Sequence, residues 1–393
     1  MKEIARTHIL IITYNDYPVY EGLGVRIENL AQVYTKSGYK VIIFAPNIEN
    51  KRERKEELNG YKVMRAIIPV PKWLLRYRIP ARAYSMLLQT LLTFFVYFKY
   101  LRKERIDVIQ AEHVYSIPPA LIIKAFTGAR VFVDDIITVS DMLRSQGNTI
   151  ISRLFMFMEK TLFRMCDEFT YTSDVCRDYC EKRGGRATVF VPNGVDCSRF
   201  IPGYKKEKDK KVIFFNCSTY SSQNIDAIKN FLLIGRLLRK QTDIPFILHL
   251  ISSPIHNIPV TLMEEIKKEN EWFLLEEGVP DIASRISNAD ITVLPYSPGH
   301  HLTGGVRLKA LEYMACGKPV LSTPEGVEGI NGLIPGKHAV VTKTPEEMVS
   351  LLLDFLESDR DFNPIAIDGR NFVKENFDWE RVATPMLERL KNI

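Results

Sequence analysis

The sequence is poor in the features that mark several protein classes. Cysteine is scarce, six in 393 residues, and no Cys-x-x-Cys pair occurs, Cys176 and Cys180 being the closest two. That spacing excludes a disulfide framework and a thiolate zinc site, and reduced thiols are what a cytoplasmic protein carries. The opening MKEIARTHILIITYND lacks the apolar h-region and small-residue cleavage site of a secretory leader. The uncharged apolar stretch at residues 83–98 is shorter than the ~20 residues a membrane span needs. A net charge of +6 is too small to indicate a nucleic-acid partner, and the basic residues do not alternate with aromatics around a reader motif. There is no internal repeat and no low-complexity tract.

What is present is an ordinary globular balance, 46% hydrophobic and 25% charged, in a chain long enough for two domains. Short apolar runs alternate with helical patterns. HILIIT (8–13), KVIIFA (40–45), DVIQA (107–111), RVFVD (130–134) and EFTYT (168–172) form one series. KVIFFN (211–216), FILHLI (246–251), DITVLP (290–295) and PVLST (319–323) form a second. Continuous apolar strands alternating with helices predict parallel sheets buried on both faces. The fold class expected is therefore α/β, with two Rossmann-like doubly wound domains. The break lies in VPNGVDCSRFIPGYKKEKDKK (191–211), which is rich in turn formers and then in charge. The boundaries expected are 1–192, 193–367 and a closing helical segment 368–393.

Two constellations sit where such sheets bind ligands, at the carboxyl ends of strands. The weaker is Glu21-Gly22-Leu23-Gly24-Val25-Arg26, between the first strand and a helix expected from Val25 to Lys36. Glycines there let the backbone approach a phosphate or a sugar, although a plain turn explains them equally well. The stronger is TGGVRLKALEYMACGKP (303–319). Gly304 and Gly305 open a helix, Gly317 closes it, and Leu308, Leu311 and Ala315 form its apolar stripe. Arg307 and Lys309 are cations in its first turns, where the helix dipole favours an anion. Glu312 lies at the edge of the stripe and requires hydrogen-bonding partners that ribose hydroxyls would supply. A solvated basic turn with a salt-bridged Glu312 is the bland alternative. Asp134 and Asp135 also end a strand, as acceptor-binding candidates or as caps of the next loop.

These stretches resemble the retaining glycosyltransferases of family 4, which have the GT-B fold. The match runs through residues 8–45, VPNGVDCSRF (191–200), residues 289–323 and DGRNFVKENFDWERVATPMLERL (368–390). The resemblance implies two Rossmann-like domains facing a central cleft, with the last helix crossing back to the N-terminal domain. It implies transfer of a sugar from a UDP- or GDP-sugar donor with retention; no metal or other cofactor is expected, because Arg307, Lys309 and the helix amino terminus can neutralise the leaving diphosphate. Donor binding then falls to Gly22, Leu23, Gly24, Gly304, Gly305, Val306 and Glu312, the last holding the ribose. Arg307 and Lys309 neutralise the diphosphate, and His113, in DVIQAEHVYS (107–116), touches the donor sugar. One departure is plain: the family's donor motif has two glutamates with seven residues between, and Gly304 occupies the first position. A non-catalytic sugar-binding protein and a nucleotide-sugar epimerase on the same fold stay open.

Residues 71–105 surround the apolar stretch with eight basic residues against one acid, Glu104. Reversible contact with an anionic membrane, at the cytoplasmic face, is expected there. The acceptor is then a glycan or a lipid-linked molecule. A buried helix is the alternative.

Overall fold

The computed structural model describes residues 7–18, 22–48, 52–71, 73, 78–134, 139–145, 147–203, 210–299, 305–357 and 360–393. The chain divides into two compact units. Unit 1 holds Met1–Asn193, Thr303–Gly305 and Val382–Ile393; unit 2 holds Gly194–Leu302 and Val306–Arg381.

Unit 1 runs β1 (His8–Ile12), α1 (Gly22–Lys36), β2 (Lys40–Asn47), β3 (Lys55–Leu58), β4 (Tyr61–Ile67), α2 (Arg78–Val96), β5 (Val108–Glu112) and α3 (Ile117–Thr127). It continues with β6 (Arg130–Asp134), α4 (Val139–Ser145), α5 (Thr149–Phe163), β7 (Glu168–Tyr171), α6 (Asp174–Glu181) and β8 (Ala187–Phe190). The sheet order is β3-β4-β2-β1-β5-β6-β7-β8. All neighbours pair in parallel except β3 with β4. That antiparallel edge was not expected from the alternating pattern. Its cause is the two-residue turn Asn59-Gly60, where both residues have positive φ, the combination that closes a tight hairpin.

Side chains alternate across this sheet. Leu10, Ile12, Ile109, Val131 and Val133 face a cluster that includes residues of α2, α3 and α5. The opposite face meets α1. Tyr34 of α1 donates its hydroxyl to Gln110 Oε1 at 3.0 Å. Arg26 of α1 is fully buried and reaches Asp134 with Nε at 2.7 Å and Nη2 at 2.9 Å. The rest of its guanidinium donates to Val191 O (2.9 Å), Pro192 O (3.1 Å) and Asn193 Oδ1 (3.2 Å). Five donors meet five acceptors, the full capacity of an arginine.

Unit 2 runs β9 (Lys211–Ser218), α7 (Ser222–Arg239), β10 (Phe246–Ser253), α8 (Val260–Lys268), β11 (Phe273–Glu277), α9 (Ile282–Ser287) and β12 (Ile291–Leu294). Then follow α10 (Leu308–Ala315), β13 (Val320–Ser322), β14 (Val340–Val341), α11 (Glu347–Leu356), α12 (Asn363–Asn376), α13 (Trp379–Val382) and α14 (Thr384–Leu390). The six strands are all parallel, in the order β11-β10-β9-β12-β13-β14. Helix α12 packs on α10 within unit 2, while α14 belongs to unit 1 and lies against β8. There Arg389 clamps Glu168 through Nε at 2.8 Å and Nη2 at 2.5 Å.

The Arg26 tether yields a test. Arg26→Ala leaves the Asp134 carboxylate buried without its partner, which costs about 3–5 kcal/mol. Arg26→Lys recovers little of this, because one ammonium cannot fill a five-donor fork. Urea denaturation of both variants against the parent measures the effect, and two mild losses would contradict the tether.

Candidate functional site

In each sheet the chain leaves a central strand in one direction and later returns to build the other half. The reversal falls between β1 and β5 in unit 1 and between β9 and β12 in unit 2. Doubly wound sheets bind ligands outside the carboxyl ends of the strands at such a reversal. The candidate residues gather at these two places.

In unit 2 the residues after β9 and β12 converge. Helix α7 begins after β9 with Ser221 as its cap, and α10 begins after β12 with Arg307 as its cap. The helix expected to open at Gly304 and Gly305 thus starts at Leu308, so Arg307 caps it rather than lying inside it. The extended backbone of Arg307, φ −74° and ψ 107°, is what stops the helix there. Its guanidinium lies 3.6 Å from the centre of the Tyr296 ring. Nε donates to Glu325 O at 2.9 Å and Nη2 to Gln223 Oε1 at 3.4 Å. Burial holds the Arg307 pKa below its ordinary value, against the neighbouring Tyr296 and Glu328. Lys309 donates to Tyr296 Oη at 2.8 Å, and Tyr296 donates to Asn224 Oδ1 of α7 at 3.0 Å. Two cations and two helix amino termini therefore share one strand end, an arrangement built for a polyanion.

Glu312 lies one turn further along α10. Its neighbour Tyr313 fixes the helix to the sheet by exchanging hydrogen bonds with Asn216, at 2.9 Å to the backbone N–H and 2.6 Å to Oδ1. Burial pushes the Glu312 carboxyl up to about 7, against Lys309 and Arg199, which pull it down. No described side chain hydrogen-bonds that carboxylate. A strongly perturbed carboxyl beside two cations at a strand end marks a functional site. Val306 is buried immediately before the cap. Gly317 ends the helix with φ 62°. Gly305, assigned to unit 1, has φ 75°, and a Cβ there would come within 3.3 Å of Asn193 Nδ2. Gly304 lies outside the described residues.

In unit 1 His113 directly follows β5. Its backbone adopts φ 69° and ψ 163°, a region that only glycine enters freely. Its N–H donates to Asp134 O at 3.1 Å. The imidazole stacks on Tyr115 at 4.9 Å and meets Tyr14, just past β1, at 5.3 Å. A strained residue at the sheet reversal, wedged between aromatics, is a site feature that packing alone does not demand. Gly22 and Leu23 begin α1, and Gly24 is buried in its first turn. The helix starts three residues before Val25, so these residues offer first-turn N–H groups instead of forming a loop.

Asp134 changes role. Both of its oxygens are taken, by Arg26 and by the Thr170 hydroxyl, and it is fully buried. It is a tether of the fold and has no oxygen to offer an acceptor. Asp135 lies outside the described residues. Beside the tether, burial and the Asp134 charge push the Glu112 carboxyl well above the usual range, against Arg26 and Gln110. Burial and the neighbouring Asp134 charge thus disfavour the charged form of Glu112. Tyr14, Tyr115, Tyr296, Gln223 and Asn224 were not read from the sequence. Tyr296 alone had a signal, standing two residues after an apolar strand.

Residues 21–194 match the family model described as Glycosyl transferase 4-like domain, and residues 210–358 match Glycosyl transferases group 1. Between them the two cover most of the chain, which belongs to the glycosyltransferases. An uncharacterized glycosyltransferase of Methanocaldococcus jannaschii is 30% identical over 95 residues, 23% of this chain and 24% of that relative's length. Among solved structures, a sucrose-phosphate synthase of Thermosynechococcus elongatus superposes with a TM-score of 0.75 at 15% identity, covering 98% of this chain and 99% of that one. HepE of Anabaena, solved with UDP and glucose, gives a TM-score of 0.67 at 14% identity over 99% and 100%. The fold is GT-B.

Glu312 carries a measurable cost. Its folded pKa of about 7 lies above the 4.5 of an ordinary glutamate. Between those values the folded state holds a proton that the unfolded state has lost, so stability falls as pH rises and levels off above about 7. Glu312→Gln removes the penalty. It should stabilise the ligand-free protein by about 2–3 kcal/mol at alkaline pH and by nothing below about pH 4.5. Thermal melts across pH test this; a variant no more stable than the parent at alkaline pH would contradict it.

Proposed function

We propose that this glycosyltransferase transfers a sugar from a nucleotide-diphosphate-sugar donor, UDP- or GDP-linked, with retention of anomeric configuration. The observation that carries the reading is the convergence of Arg307, Lys309 and Glu312 at the β9/β12 reversal. Glu312 as carboxylate accepts the ribose hydroxyls. Arg307, Lys309 and the amino termini of α7 and α10 neutralise the diphosphate as charge grows on it. The UDP bound in Anabaena HepE supports a nucleotide donor here. His113, strained and packed by aromatics, contacts the donor sugar. The bond from the anomeric carbon to the leaving phosphate oxygen breaks, the acceptor oxygen bonds to the same face, and the leaving phosphate takes the acceptor's proton. Gly22–Gly24 and Gly305 let backbone approach the donor closely. Neither unit carries both His113 and the Arg307–Lys309–Glu312 set.

The fixed cations make a metal unnecessary. The one Asp-x-Asp spacing in the C-terminal half is Asp359-Arg360-Asp361, of which Asp359 lies outside the described residues. The carbonyls of Phe355 and Leu356 that end α11 accept from Lys211 Nζ, at the start of β9. Lys211 thereby ties the end of α11 to the start of β9, at the opposite end of the sheet from Arg307. The acceptor proposed is a glycan on a lipid carrier, met at the cytoplasmic face of a membrane through residues 71–105. None of the described helices is long and apolar enough to cross a membrane.

A donor at 100 times its Kd should stabilise the protein by about 2.7 kcal/mol, so a thermal-shift screen of nucleotide sugars finds the donor. Glu312→Ala should weaken nucleotide binding by about 1.5–3 kcal/mol. Arg307→Ala and Lys309→Ala should lower kcat more than affinity, because they act on charge that develops during bond breaking. His113→Ala should lower kcat with nucleotide affinity unchanged. If both cation variants turn over like the parent, the phosphate assignment is wrong. A protein that binds donors and transfers nothing would be a sugar-binding member of the fold.

Full activity should survive EDTA. Loss of activity in EDTA, restored by Mg²⁺ or Mn²⁺, would contradict metal-independent transfer.

A further inference from the structure

The exposed apolar surface of unit 1 extends beyond residues 71–105. Helix α2 turns Leu87, Leu91, Phe94 and Phe95 outward, and Phe98 continues the row just past its end. The exposures run from 42% to 69%. Its inner side is mixed: Ser85, Gln89 and Thr93 are buried, Gln89 Nε2 donates to Thr13 O at 3.0 Å, and Met86, Leu88, Leu92 and Val96 pack against the core. A helix that packs one apolar row on the core and still exposes a row of leucine and phenylalanine has a second apolar face uncovered.

Helix α5 repeats the pattern. Ile150, Leu154 and Phe157 are 82%, 66% and 72% exposed at i, i+4 and i+7, while Phe155 and Phe163 face the core. Both helices belong to one layer, since residues of α2, α3 and α5 share the cluster on a single face of the sheet. The charge on these three helices is almost all of one sign, and α4, which packs on α5, adds Asp141, paired with Arg183 at 3.0 Å. Across α2, α3 and α5 the only carboxylate is Glu159, and it is buried against Arg183 at 2.8 Å. Arg153 and Lys160 flank the α5 row and are exposed, with Arg164 just beyond. Apolar rows edged mainly by cations, with the neighbouring exposed acid, Asp141, already paired to Arg183, complement an anionic lipid surface, where the apolar side chains enter the headgroup boundary and the cations meet phosphate.

We infer that α5 is the second contact of a two-helix docking face for an anionic phospholipid bilayer, with α2 as the first. The inference rests on the membrane contact proposed for residues 71–105 and adds a separate element to it. Two helices resist rotation on the bilayer where one would not, so the docked enzyme presents one fixed face of unit 1 to a lipid-borne acceptor.

The test uses the full-length protein and sedimentation with vesicles of phosphatidylcholine alone or mixed with phosphatidylglycerol. The parent should bind the mixed vesicles, and rising salt should weaken the binding. Ile150→Ser/Leu154→Ser/Phe157→Ser and, separately, Leu91→Ser/Phe95→Ser should each bind at least about tenfold more weakly. All five side chains are exposed, so melting temperatures should stay close to the parent's. An α5 variant that binds like the parent, beside an α2 variant that does not, overturns the α5 inference and spares the α2 contact. A parent that ignores the mixed vesicles overturns both, as does equal binding to phosphatidylcholine alone at every salt concentration. A parent dimer that the α5 variant converts to monomer identifies the face as a self-association surface and overturns the inference. Stabilisation by UDP or GDP, read on the same samples, reports the donor site independently of all these outcomes.

Discussion

The fully buried pair of Arg26 and Asp134 constrains unit 1 more than any other interaction in it. A charge removed from water is tolerated only when it is paired and its hydrogen bonds are filled, and here every guanidinium donor is used. The bonds run from α1 to the end of β6, to the carbonyls of Val191 and Pro192 and to the side chain of Asn193. The glycine-rich start of α1, the strand end beside His113 and the segment after β8 are thereby fixed to one side chain. The same Asp134 accepts the His113 N–H through its backbone oxygen. The strained conformation of His113 is thus held by a residue that cannot move without exposing a buried charge. Glu112 completes the cluster, its charged form disfavoured by burial and by the Asp134 charge beside it.

The two units solve one problem in the same way and with different chemistry. Each reverses its strand order next to its first strand, and each collects candidate side chains at that reversal. Unit 1 places aromatics and an imidazole there. Unit 2 places cations, two helix amino termini and a carboxyl that burial disfavours as an anion. The Glu312 environment destabilises the ligand-free fold at neutral pH, which is what a group reserved for a ligand does. Tyr313 and Asn216 hold α10 in place, so the cost cannot be relieved by tilting the helix away.

Much of this was legible in the sequence. Nine apolar runs gave nine strands to within a few residues, because buried parallel strands have no polar face to blur the pattern. The glycine-bounded segment at 303–319 located Arg307, Lys309 and Glu312 beside one another. What the sequence concealed has physical reasons. The β3–β4 hairpin is short, half charged and betrayed only by Asn59-Gly60. Strands β8, β11 and β14 are too short or too mixed to stand out from their surroundings. The true start of α10 depends on the backbone of Arg307, which no propensity encodes. Asp134 ended a strand as a ligand-binding residue would, and nothing local revealed that Arg26, 108 residues away, would claim it. The aromatic packing around His113 arises from sheet order, which brings Tyr14 and Tyr115 together across distant strands.

The central claim is that Glu312 becomes a carboxylate when it takes a nucleotide's ribose. Calorimetric titration with UDP or GDP in buffers of different ionisation enthalpy counts the protons released on binding. Because the free carboxyl titrates near 7, the parent should release more protons than Glu312→Gln at about pH 6, and the difference should vanish by about pH 8.5. Equal proton release by parent and variant at both pH values would show that Glu312 does not meet the nucleotide, and the donor site would have to be sought elsewhere.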